Sequence, residues 1–306
     1  MVATCKDVIQ LIDNGVLVYS SVLNPDRDNA CVGTFQEIVY ISDLNCYLMN
    51  LEYKLFRKDI DDQDPYLFMD IECCGNEECA FRYSEVSKRL YVISDRDSLM
   101  VVNLQRKQVE INLKGRGTHE SSITDLKVFG GKGDQVAILS KLAQVHLLQF
   151  SIRRKKVCSS YWFSTDLIFA ERARAIAVCD KNKLIFVAVA VKRSLKRSRI
   201  CIFKLEKRSL NHRATFNQEH NKQSMALSCV ECAGYFGGAV LWVGLNSPED
   251  YCKVFSFDTD TGKLRELGEN RVLHGEYSPQ KIQRVGNEFF YTGWKRKVMR
   301  LTLTTA

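Results

Sequence analysis

Cysteine is the residue type with the most chemistry on offer in this chain, which contains twelve of them. Cys229-Val230-Glu231-Cys232 is a CxxC pair, and Cys73-Cys74 with Cys79 forms a second cluster. Thiolates can hold zinc tetrahedrally, but four must converge at about 2.3 Å from one ion. The second cluster lacks the CxxC spacing, so no metal site is expected, and Cys229 and Cys232 stand only as weak candidates. Cys46, Cys179, Cys201 and Cys252 fall inside apolar runs. A free thiol there packs as a small hydrophobe and persists in a reducing compartment. The five histidines (His119, His146, His212, His220 and His274) have no HxH or HExxH spacing. His146 lies inside an apolar run and reads as a packing residue. The sequence has no GxSxG elbow, no phosphate-binding loop and no dinucleotide fingerprint. The expectation is a non-enzymatic chain with no catalytic residue, no cofactor and no small-molecule substrate.

Charge is the other candidate for function. The net charge is +8, but its distribution is uneven. Residues 1–100 carry 9 Lys/Arg against 18 Asp/Glu, and residues 101–220 carry 24 against 9. Basic residues concentrate at Arg153, Arg154, Lys155 and Lys156, at Lys192, Arg193, Lys196, Arg197 and Arg199, and at Lys295, Arg296 and Lys297. Together these make the expected basic contact set. The 192–199 stretch is predicted to be an exposed loop between two strands of one hairpin. Asp59, Asp61, Asp62 and Asp64 make the acidic contact set, predicted to lie in a loop between repeat units. Such sectors orient encounters with charged partners. The basic set suits acidic protein segments or, alternatively, the phosphates of RNA or DNA. Aromatic residues in Tyr161-Trp162-Phe163 suit stacking or anchoring, with core packing the expected role.

These loops need elements to hold them. Hydrophobic residues make up 45% of the chain and charged residues 26%, with only 4 prolines and 17 glycines. That composition fits one domain over 1–306, without a low-complexity linker. No apolar run reaches membrane-spanning length. The N-terminus lacks a signal-peptide pattern, so an intracellular location, cytoplasmic or nuclear, is expected. Paired apolar runs recur: Val39–Ser42 with Cys46–Leu51, Leu90–Ser94 with Leu99–Leu104, and Val136–Ser140 with Val145–Phe150. Leu184–Val191 with Ile200–Leu205, Val240–Leu245 with Cys252–Phe257, and Phe289–Trp294 with Val298–Leu303 follow. The first runs start 51, 46, 48, 56 and 49 residues apart. A hairpin recurring at this period predicts an all-β β-propeller.

Runs such as Leu99-Met100-Val101-Val102 are apolar throughout, as expected of strands covered on both faces. The second unit is predicted as Leu67–Cys73, Leu90–Ser94, Leu99–Leu104 and Val109–Leu113. The third is predicted as Ile123–Phe129, Val136–Ser140, Val145–Phe150 and Val157–Trp162. The last unit offers three strands, so Val8–Ile12 is the expected donor of the fourth, closing the ring. The count is six blades, or seven if Val16–Val22 forms a short blade of its own. Thr165–Ala177 suits either a helical turn or a connector with an inner strand.

The period, with Tyr40-Ile41-Ser42-Asp43 and Val92-Ile93-Ser94-Asp95-Arg96-Asp97, resembles the turn after the second strand in the WD40-like β-propeller group. Val101-Val102-Asn103 loosely resembles that group's strand ending, although no Gly-His and Trp-Asp pair recurs. The resemblance implies a non-catalytic scaffold for other protein subunits, or for nucleic acid in an RNA- or DNA-processing complex.

Overall fold

The computed structural model describes residues 2–9, 38–51, 54–59, 66–71, 80–93, 99–113, 123–132, 134–140, 144–164, 171–191, 197–207, 209–219, 226–232, 239–246, 252–258, 260–270, 279–285, 288–293 and 298–304. These residues are all-β, with one 3₁₀ turn at Ser42–Leu44.

Strand β1 (Val2–Ile9) is set apart from its neighbours in sequence. The first sheet follows as β2 (Ile38–Ile41), β3 (Cys46–Leu51), β4 (Lys54–Asp59) and β5 (Tyr66–Asp70). The second is β6 (Ala80–Ser84), β7 (Arg89–Ile93), β8 (Leu99–Asn103) and β9 (Gln108–Leu113). The third is β10 (Ile123–Phe129), β11 (Gln135–Ser140), β12 (Gln144–Ser151) and β13 (Lys156–Ser164). The fourth is β14 (Glu171–Cys179), β15 (Leu184–Val191), β16 (Arg197–Leu205) and β17 (Leu210–Glu219). The fifth is β18 (Ala226–Cys232), β19 (Ala239–Asn246), β20 (Cys252–Phe257) and β21 (Leu264–Asn270). The sixth is β22 (Pro279–Val285), β23 (Glu288–Gly293) and β24 (Val298–Thr304), completed by β1, which pairs antiparallel with β24.

Every ladder is an antiparallel meander. One irregularity repeats. The fourth strand of each sheet carries an extra residue opposite a continuous third strand: Phe68, Glu110, Cys158, Arg213 and Leu267. Lys6 of β1 is the equivalent in the sixth sheet. The N-terminal strand therefore carries the same bulge as the outer strands that are continuous with their own sheets. Bulges of this kind add local twist.

The apolar runs explain how sheets stack. Successive residues in a strand face opposite sides. Leu90 and Val92 pack with Val39, Ile41 and Leu48 of the first sheet. Their neighbours Tyr91 and Ile93 pack with Leu126, Val136 and Ile138 of the third. Ala137 and Leu139 then turn the other way, onto Ile185, Val187 and Cys201 of the fourth. A strand whose two faces both meet a neighbouring sheet must be apolar at every position, as expected from the sequence.

First strands of successive sheets touch, from β2 to β6, β10, β14, β18 and β22. Polar side chains bracket them. Buried Asp125 of β10 accepts from Arg82 Nη2 of β6 at 2.9 Å and from the backbone N–H of Ile176 in β14 at 3.1 Å. One carboxylate thus ties three sheets. Gln283 of β22 brackets Tyr40 of β2: its Oε1 accepts from the Tyr40 N–H at 3.0 Å, and its Nε2 donates to the Tyr40 carbonyl at 2.9 Å.

Three sequence expectations are corrected. Leu67–Cys73 does not open the second unit: Tyr66–Asp70 pairs with β4 and ends the first sheet, and Ala80–Ser84 opens the second. The pair Val39/Cys46 is consequently one strand out of phase with the other five pairs, which are second and third strands. The donor strand is Val2–Ile9 rather than Val8–Ile12. Glu171–Cys179 is a strand, as the second of the two readings has it for that part of 165–177, and residues 165–170 lie outside the described residues. Residues 16–22 lie outside the described residues.

Gln283→Leu removes two hydrogen bonds and strands two backbone groups of Tyr40. A loss of about 2–3 kcal/mol in unfolding free energy is expected from urea titration. Asp125→Ala leaves Arg82 buried without its carboxylate and is expected to cost about 3–5 kcal/mol.

Candidate interaction surface

In a four-stranded meander, the turns joining strands one to two and three to four leave from one end, and the connection from two to three leaves from the other. Tight turns crowd the first end. Among the described turns, five are four-residue loops whose last residue has positive φ, a loop length most often built around a type I turn. Glycine or asparagine suits that position. Here four of the positions are lysine: Lys88 (φ 54°), Lys107 (49°), Lys155 (50°) and Lys183 (53°). The turns close through Lys107 N–H to Leu104 O, Lys155 N–H to Ile152 O and Lys183 N–H to Asp180 O. All four lysines are exposed. The sequence reading missed this repeated lysine because no composition signal marks a positive-φ position that glycine does not fill.

Turns from neighbouring sheets share this end. Asp43, in the turn after β2, accepts from Lys88 Nζ at 2.5 Å and from the Tyr83 hydroxyl at 2.9 Å. Ser42 Oγ donates to Glu85 at 2.8 Å. Between the third and fourth sheets, a cleft of about 380 Å³ is lined by Phe129, Leu147, Phe163 and Leu205, with Lys183 and Lys207 among its polar lining.

The structure sorts the expected contact residues into separate places. Arg153, Arg154, Lys155 and Lys156 are exposed in the turn from β12 to β13, with Arg154 N–H donating to Ser151 Oγ at 3.2 Å. No ion pair among the described residues engages them. Arg197 and Arg199 are not in a loop: β16 begins at Arg197, and Arg199 is half-buried opposite Val189 and Asn217. The ladder extends past the apolar run because β17 runs to Glu219 and supplies partners for those residues. They sit at the opposite end of the sheet from the 180–183 turn, so the structure does not bring them together with Arg153–Lys156 at one end. Lys192, Arg193, Lys196, Lys295, Arg296 and Lys297 lie outside the described residues, as do Asp61, Asp62 and Asp64.

Asp59 ends β4, and the chain after it returns to β5 of the same sheet, not to another unit. Its carboxylate is already engaged by Arg57 at 2.5 Å and 2.9 Å and by the Tyr66 hydroxyl at 3.3 Å. Cys229 and Cys232 both belong to β18, in register with Gly244 and Leu241. Among the described residues, no group of three or more His, Cys, Asp or Glu is arranged to hold a metal. Cys46, Cys179 and Cys201 are free and buried, and burial pushes the Cys46 thiol up to about 11. His146 is buried, stacks on Trp162 with ring centroids 3.6 Å apart, and meets Ser160 Oγ at 2.7 Å. Trp162 itself is 45% exposed and so is not a core residue.

Two carboxylates tie turn-end cations to the body of the sheets. Burial works against ionisation of Glu110, but hydrogen bonds from Arg89 and Asn103 and the charges of Arg89 and Lys155 outweigh it and lower its pKa. The Arg89 guanidinium grips it at 2.7 Å and 3.2 Å. Asp43 is likewise lowered, with burial again opposed by Lys88 and Tyr83. The chain matches no family model and no curated protein. No helix among the described residues is long and apolar enough to cross a membrane.

Because both carboxylates titrate lower when folded, their contribution is present above their unfolded values and disappears as pH falls through the folded ones. The urea midpoint is expected to fall below about pH 4.5, the ordinary value for Glu110. Glu110→Gln is expected to unfold at lower urea at pH 7 and to lose less on acidification.

Proposed function

We propose that the chain is a six-bladed β-propeller of the WD40-like kind, closed by its N-terminal strand, that serves as a non-catalytic scaffold for other proteins of an intracellular complex. Support for the ring comes from the touching first strands, the Gln283 bracket onto Tyr40 and the shared bulge of β1. The observation that carries the function is the set of exposed cations Arg153, Arg154, Lys155 and Lys156, on the turn-bearing end of a body stacked from sheet to sheet. A rigid support keeps such a patch in fixed geometry, which limits the ordering cost of binding. The buried free thiols fit a reducing compartment.

A second reading, binding of RNA or DNA, is favoured by Trp162, an exposed ring on the strand that follows this basic turn. An exposed ring can stack on a base while cations elsewhere on the same surface hold the phosphate backbone.

The two readings separate in one purification. The tagged protein is isolated from its own cells with and without nuclease, beside a variant carrying Arg153→Glu, Arg154→Glu and Lys156→Glu. Proteins that survive nuclease and are lost from the variant are the expected result. Retention that ends with nuclease assigns the surface to nucleic acid, and an unchanged set in the variant contradicts a role for this turn.

A further inference from the structure

We propose that the cleft between the third and fourth sheets holds an acidic peptide segment of a partner protein, anchored by one or two apolar side chains. This rests on the scaffold reading and narrows it to one site and one ligand chemistry. The cleft volume of about 380 Å³ falls within the range of ligand pockets, roughly 300–1,000 Å³. Its apolar lining is Phe129, Leu147, Phe163 and Leu205. Phe163 and Leu205 remain half-buried, so they have apolar surface left to cover. Gln135, Gln149 and Ser159 also line it and offer hydrogen bonds to an extended backbone.

The charge around the cleft selects the ligand. Residues 130–132 and 152–155 of the third sheet and 180–183 and 206–207 of the fourth follow or precede strands at the turn-bearing end. Asp180 is already paired with Lys183 at 2.5 Å, and Glu206 lies 3.7 Å from Arg213. Lys132, Arg153, Arg154, Lys155, Lys181 and Lys207 are exposed and engaged in no ion pair among the described residues. The Debye length is about 8 Å at physiological salt, so the two lysines that line the cleft, Lys183 and Lys207, act most directly on a bound segment. Exposed ion pairs contribute little affinity each. They speed encounter and reject like-charged partners, while a desolvated apolar anchor supplies most of the binding energy. A segment with both features fits the site; a polyanion without anchors uses only half of it. The exposed ring suited to stacking on bases, Trp162, alternates with Tyr161 and Phe163 along β13 and so lies on the other face of the sheet.

The probe is a fluorescein-labelled peptide, Asp-Glu-Asp-Leu-Asp-Phe-Glu-Asp, titrated with the full chain and read by fluorescence anisotropy. Saturable binding is expected, weakened at least about ten-fold when the peptide's Leu and Phe both become Ser, the loss of its apolar anchors. Phe163→Ser is expected to weaken it similarly. Lys183→Asn with Lys207→Ser, which suits the positive φ at 183 and leaves the core untouched, is expected to weaken it and flatten its salt dependence. No saturable binding, equal binding of the Ser peptide, or displacement of the peptide by a twelve-residue oligo-dT overturns the assignment. If the peptide fails while partners are still lost from the Arg153–Lys156 reversal variant, the cleft falls and the scaffold stands. If that variant keeps every partner, the role of the 153–156 turn falls on its own test.

Discussion

Two hydrogen bonds between Gln283 and the backbone of Tyr40 join residues 243 apart in sequence. They matter because a meander of sheets stacked face to face has two exposed ends unless the last sheet meets the first. An exposed end leaves an apolar sheet face wet and a strand edge open to mispairing. The primary amide of Gln283 accepts through its oxygen and donates through its nitrogen, matching the backbone N–H and carbonyl of one extended residue. Pairing of β1 with β24 adds a backbone hydrogen-bond ladder: the start of the chain completes the sheet formed by its end. In the proposed wheel, the position of every turn, and so of every cation, depends on this junction.

Asp125 does equivalent work in the interior. It faces Arg82 from the sheet before and the Ile176 amide from the sheet after. Buried ion pairs of this kind add little net stability compared with apolar replacements, but they penalise any arrangement that separates the partners. The apolar clusters between sheets are less discriminating, since leucine and valine tolerate many packings. Stability from the clusters and register from the polar brackets together give a support stiff enough to present turns in fixed positions. Those turns are where charge collects, with Lys88, Lys107, Lys155 and Lys183 held at one repeated backbone position.

Much of the architecture was legible in the sequence, for a physical reason. Second and third strands are covered on both faces, so Tyr91–Ile93 or Ile185–Val189 must be apolar without interruption, and such runs stand out. First and fourth strands carry more polar residues; Ile123–Phe129 and Val157–Trp162 could still be read, but others could not. Ala80–Ser84 contains Arg82, whose charge disguises a buried strand until Asp125 is seen beside it. Tyr66–Asp70 is amphipathic and partly exposed, with Leu67 at 46%, and by sequence reads as part of the next unit. Half of the surface could be read. The Arg153–Lys156 turn follows from four adjacent cations between two apolar runs. The cleft could not be read, because it forms only where Leu147 and Phe163 of one sheet approach Leu205 of another. Arg197 and Arg199 looked like loop residues by charge and proved to be strand residues by pairing.

Native-state amide hydrogen exchange at Tyr40 tests the central junction directly. Closure requires the Tyr40 N–H to exchange as slowly as ladder amides of β3 in the wild-type chain, and to lose that protection selectively when Gln283 is replaced by Leu. A Tyr40 amide that exchanges at the rate of an open strand edge, or that is unchanged by the substitution, would contradict a closed ring.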